Sequence, residues 1–147
     1  MSNAELTPKI LVAVELLDRA LQMFNDGAYF AAITLAGAAE EILGVYVERA
    51  GMQSSFDNFR EMAVPFANFV ANEGDTTVDV KIMSNWMKYA RNRTKHIHST
   101  GDDDILFHPR HSAMDLLQRA LRDYANLQTV YPLEMTELMK GFNPAAI

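Results

Sequence analysis

The sequence predicts an all-α fold, an up-and-down bundle of about five helices with a short further helix at the C-terminal end. Three observations predict it. Apolar residues recur every three or four positions along most of the chain. No alternating strand pattern persists beyond a few positions. The helical stretches are separated by Gly, Pro, Asn and Asp clusters that read as turns. The 147 residues, 49% hydrophobic and 22% charged, are enough for one domain with a sizeable core. Residues 1–147 read as a single domain, with residues 1–5 set aside as a tag remnant or a disordered end.

Thr7 and Pro8 open the first helix, a hydroxyl N-cap followed by proline at the first helical position. Ile10, Val14, Leu17, Leu21 and Phe24 then recur at helical spacing up to the turn at Asn25-Asp26-Gly27. A second helix, roughly Tyr29 to Ala50, ends at Gly51, a residue suited to the left-handed C′ position. Ala28, Ala31, Ala32, Ala36, Gly37, Ala38 and Ala39 crowd its first half. Small side chains let a neighbour approach closely, so this is the expected central helix. Gly44 weakens its interior by about 1 kcal/mol relative to alanine, which close packing would explain.

Ser54 or Ser55 caps a third helix through Phe56, Phe59, Met62, Ala63, Phe66 and Phe69, and Pro65 is expected to kink or divide it. After the polar break at 72–75, Thr77 is the expected cap of a fourth helix reaching about His98. Residues 99–104 read as a loop. Pro109 precedes a fifth helix through Ala113, Leu116, Leu117, Ala120, Leu121, Tyr124 and Leu127, and Pro132 opens a last short helix near 133–139.

With no cysteine, the chain has no disulfide, zinc–thiolate site or cysteine nucleophile. The longest apolar run, 28–39, is ended by Glu40 and Glu41 short of the roughly 18–20 residues that span a bilayer. The first residues lack a signal-peptide pattern, so the expectation is a cytoplasmic protein with no membrane association. A net charge of −6 argues against a generally basic nucleic-acid-binding surface. The average hides an asymmetry. Lys81, Lys88, Arg91, Arg93 and Lys95 give the stretch 81–96 a charge of +5 without one acid, in a chain that is otherwise −11.

A wheel at about 100° per residue divides this fourth helix into two faces. Ile82, Met83, Trp86, Tyr89, Ala90 and Ile97 share the expected core face. Arg91, Asn92, Lys95, His96, Lys88 and His98 fall on the opposite, solvent-facing arc, and Arg93 and Thr94 point toward the flanks of the core. A basic arc opposite an apolar one is also what an ordinary solvated helix shows, and cations near a helix C-terminus offset its dipole.

The segment Arg91-Asn92-Arg93-Thr94-Lys95-His96 resembles the R-x4–6-H signature of HEPN domains, and Asn92 matches the polar residue that commonly follows the arginine. The alanine-rich stretch 29–43 resembles the helix that precedes the motif in that family, and the order of helices agrees over most of residues 7–130. The register has alternatives. Arg91 to His96 and Arg93 to His98 both leave four residues between, and Arg91 to His98 leaves six. Arg91 and His96 are the expected pair, with His98 in reserve.

The resemblance implies metal-independent RNA cleavage in a homodimer whose two motifs face one another. The residue types suit that chemistry, because RNA carries its own nucleophile in the 2′-OH. A histidine, with an unperturbed pKa of about 6.5, can move protons near neutrality. An arginine fork can stabilise charge on the phosphate. In this reading Arg91, His96 and Asn92 are the catalytic residues, while Lys95, Lys88 and His98 hold the substrate. No cofactor is expected. Expected partners are a second copy, RNA or a nucleotide, and an antitoxin or nucleotidyltransferase-type protein. The alternative is a non-catalytic HEPN module for nucleotide binding or dimerisation. His96, His98, Asp102–Asp104, His108 and His111 lack any recognised metal-ligand spacing, so no metal site is expected. Glu40 and Glu41 read first as helix-surface charge, and second as partners of the basic arc across the bundle. Pairing of Glu40 with Arg91 would hold that guanidinium in place.

Overall fold

The alanine-rich segment forms the centre of the structure. In the computed structural model, which describes residues 4–97 and 100–144, it is α2 (Tyr29–Arg49), packed most extensively on α1 (Lys9–Asn25) and α5 (Pro109–Leu127). Their shared core includes Leu17, Leu21, Ile33, Leu43, Leu117 and Leu127, all fully buried. The small residues of α2 explain the close approach: Ala32, Ala36 and Ala39 carry no solvent exposure at all. Around this core lie α3 (Ser55–Val70), α4 (Val80–Lys95) and the short α6 (Glu137–Gly141). The described residues are all-helical or irregular, without a strand. By length and composition alone, α2 is apolar enough to cross a membrane. In this fold one side of it, including the carboxylate of Glu40, is buried in the bundle.

The helix boundaries follow local chemistry, with several differences from the sequence reading, among them an α4 that ends at Lys95 and not near His98. First, Pro8 occupies the N-cap of α1, one position later than expected. Second, Asp79 rather than Thr77 caps α4, its carboxylate accepting from the Ile82 N–H at 2.8 Å. Aspartate is as good a cap as threonine or better, and Asn68 fixes the approach by bonding both the N–H and the C=O of Val78 at 2.8 Å. Third, the last helix starts at Glu137, because Thr136 supplies the cap and its hydroxyl also bonds Asp18 of α1 at 2.6 Å. Ser54 caps α3, accepting from the Asp57 N–H, and that helix continues undivided through Pro65. Gly27 and Gly51 end α1 and α2 with φ of 78° and 79°, the left-handed backbone their positions require.

The α3 helix is amphipathic, yet Ser55 is its one fully buried residue. Met62, Phe66 and Phe69 are 58%, 67% and 86% exposed, so this part of its apolar stripe finds little cover among the described residues.

Candidate functional site

The motif helix α4 is turned by roughly 100°, one residue step, from the orientation its apolar residues predict. Its inward side carries Met83, Met87, Arg91 and Thr94. Trp86, Tyr89 and Ile97, expected in the core, are exposed instead. The cause lies on α2. Glu40 occupies a position on the buried stripe between Ala36 and Leu43 and is only 3% exposed. A buried carboxylate is costly unless cations and donors meet it. Arg119 of α5 donates from Nε to Glu40 at 2.6 Å. Arg91 Nη1 lies 3.7 Å from Glu40 and 3.2 Å from Glu41. Burial pushes the Glu40 carboxyl above the usual carboxylate range, and the charges of Arg119 and Arg91 oppose that shift.

Gly37 makes this arrangement sterically feasible. A Cβ there would stand 2.5 Å from Arg91 Cδ and 2.7 Å from its Cγ, so the Arg91 stem fills the space that glycine leaves. Gly44 differs, since a Cβ there would make only an ordinary 3.7 Å contact with Ser54. Close packing therefore explains Gly37 and not Gly44.

These contacts revise the expected site. Arg91 is 5% exposed, with a buried Nε that has no hydrogen-bond partner among the described residues, and does not belong to a solvent-facing arc. Glu40 is not surface charge, since it binds the basic residues across the bundle. Lys88 is half-buried, its ammonium 5.4 Å above the Phe56 ring, so it too leaves the arc. Asn92, Lys95 and His96 are exposed as expected, with His96 at the C-cap of α4. His98 lies outside the described residues. Arg93 folds over the following loop, paired with Asp102 and donating to the Asp104 carbonyl at 2.9 Å. Phe107 holds the far end of that loop between Phe30 and Tyr89, each ring 6.2 Å away. The result is a cleft of about 310 Å³ with Lys95 and His96 on one wall and Asp102 to Asp104 on the other.

One further buried carboxylate lies beside this network, and an exposed one lies near it. Asp123 of α5 is fully buried and accepts from the Ser55 N–H at 2.8 Å, which fixes the start of α3. Burial raises its pKa, and the hydrogen bond from the Ser55 N–H acts against that. Asp115 is likewise raised by burial, with Arg119 and His111 opposing. The rings of His108 and His111 stack at 4.7 Å, and among the described residues no three His, Asp or Glu side chains converge on a metal-sized site. The sequence did hold a signal for the network. Glu40 and Asp123 both interrupt an apolar stripe at helical spacing, and Met83, Met87 and Arg91 line up at i, i+4, i+8.

No family model, curated protein or solved structure matches this chain.

Proposed function

We propose that this chain is a metal-independent endoribonuclease of the HEPN type, working as a homodimer, with His96 as the proton-transferring residue. The observation that carries this reading is the end of α4, where His96, Lys95 and Asn92 are exposed together. The helix that presents them is anchored five residues earlier by Arg91 on Glu40 and Glu41. Arg91 is then a positioning residue. Its burial removes it from direct phosphate contact, so Lys95 is left as the cation at the site and Asn92 as a neutral hydrogen-bonding group.

In the reaction, His96 of one protomer takes the proton from a 2′-OH as that oxygen attacks the adjacent phosphorus. The bond to the 5′-oxygen breaks, and the departing oxygen takes a proton from the partner's His96. The products are a 2′,3′-cyclic phosphate and a 5′-OH, with no net proton gained or lost. One such histidine per chain makes a second copy necessary for the acid–base pair. The uncovered stripe of Met62, Phe66 and Phe69 on α3 supplies apolar surface of the kind a second copy covers.

A second reading, a non-catalytic binding or dimerisation module of the same type, is favoured by the burial of Arg91 and by the acidic wall at 102–104. Cleavage of RNA in EDTA by wild type and by His96→Ala separates the two. Loss of cyclic-phosphate products in the variant supports the enzyme, and an inert, folded, dimeric wild type supports the module.

A further inference from the structure

Away from the end of α4, two adjoining clefts run between α3, α4 and α5. One holds about 390 Å³ and the other about 280 Å³, and Phe59, Gln118 and Arg119 line both. Together they reach the size of small-molecule sites. Arg119 is the central feature. Its Nε is committed to Glu40, its guanidinium lies 5.8 Å over the Phe56 ring, and only 12% of the side chain is exposed. The guanidinium is thus ion-paired with Glu40, and its charge also acts on the carboxylates of Asp115 and Asp123. The guanidinium is therefore fixed through Nε while bordering both clefts, and a guanidinium held in place suits carboxylate or phosphate.

The surroundings add two independent features. Ser55, 5% exposed, lines the larger cleft, and its buried hydroxyl lies beside Asp123 without a well-formed hydrogen bond. Phe59 and Trp86 are 48% and 58% exposed on the cleft walls, so a flat apolar ring has aromatic faces to meet. The charged side chains lining the clefts are Arg119, Arg122 and Asp115, with Glu40 paired to Arg119 behind them.

We propose that this double cleft binds a small aromatic molecule carrying an anionic group, the ring against Phe59 and Trp86 and the carboxylate or phosphate on Arg119. Arg122 adds a second positive charge at the rim and Ser55 a hydroxyl donor within. This site is separate from the proposed nuclease chemistry and does not depend on it.

Trp86 is the chain's only tryptophan, so its fluorescence reports on the cleft directly. Benzoate and phenyl phosphate, titrated separately, are expected to change that signal saturably with Kd of about 1 mM or tighter. Whichever binds more tightly identifies the anionic group. Benzamide, which keeps the ring and shape of benzoate without the charge, is expected to bind at least about tenfold more weakly. Arg119→Lys retains a cation for Glu40 and loses the fork, so it is expected to weaken the anions about tenfold with unchanged circular dichroism. If that variant unfolds, Arg122→Ala, on an exposed residue, provides the second comparison and is expected to weaken both anions relative to benzamide. No saturable change with either anion, or equal binding of benzamide and benzoate, overturns the proposal.

Discussion

Replacing Gly37 by alanine tests the packing that turns α4. In an ordinary helix interior this change stabilises by about 1 kcal/mol, because glycine is the poorer helix former. Here the new Cβ would sit 2.5 Å and 2.7 Å from Arg91 Cδ and Cγ. Those atoms lie mid-chain, so relief requires the guanidinium to move off Glu40 and Glu41. Overpacking of this kind costs about 1–3 kcal/mol, and loosening a buried ion pair adds to it. Set against the propensity gain, the net expectation is destabilisation by about 2 kcal/mol. Urea denaturation followed by circular dichroism would show it as a midpoint lower by about 1 M, for a slope of about 2 kcal/mol per molar.

The informative comparison is the same substitution in an Arg91→Ala background. With the rest of the stem gone the methyl meets only the remaining Cβ at 3.5 Å, an ordinary contact, and the expected effect changes sign to a stabilisation of up to about 1 kcal/mol. The coupling between the two positions is then about 3 kcal/mol, at the upper end for residues in direct contact. Equal effects of Gly37→Ala in both backgrounds would refute the seating of Arg91 against Gly37, and with it the observed rotation of α4.

Gly44→Ala provides the contrasting case. Only an ordinary contact awaits its methyl, so a gain of about 0.5–1 kcal/mol in urea is expected, and a loss would show tighter packing than the structure has. The buried aspartate gives a pH test. A carboxyl whose folded-state pKa is raised contributes stability that is present below its unfolded pKa and lost as pH rises through the folded one. For Asp123, Asp123→Asn keeps an acceptor for the Ser55 N–H and removes the charge. The variant should gain on wild type as pH rises from the ordinary aspartate range toward neutrality. A difference between the two unfolding curves that stays constant with pH would contradict the raised pKa.

Much of the architecture was legible because it rests on local signals. Gly27, Gly51, Ser54 and Pro109 mark helix ends through backbone conformation or capping, and these need no knowledge of the rest of the chain. The alanine-rich face of α2 announced a close neighbour. The orientation of α4 was not legible in the same way. Its aromatic residues, Trp86 and Tyr89, dominate any hydrophobic periodicity and point it one residue step away from where it lies. What decides its rotation is a buried carboxylate on another helix, and the energy of meeting that charge outweighs the apolar area left exposed. The candidate site inherits the same division. Asn92, Lys95 and His96 lie at the helix end and are exposed under either rotation. Arg91, nearer the middle, changes from surface fork to internal anchor. Arg119 and Asp123 could have been suspected only by treating a charged residue on an apolar stripe as a site rather than a defect.

Cleavage of end-labelled tRNA and mixed RNA in EDTA, with wild type, His96→Ala and Lys95→Ala compared at equal folded concentration, decides whether this chain is a ribonuclease. Wild type is expected to leave 2′,3′-cyclic-phosphate ends, His96→Ala none above background, and Lys95→Ala fewer than wild type. Undiminished cleavage by folded His96→Ala, or a folded, dimeric wild type inert on the whole RNA panel, would contradict the proposal.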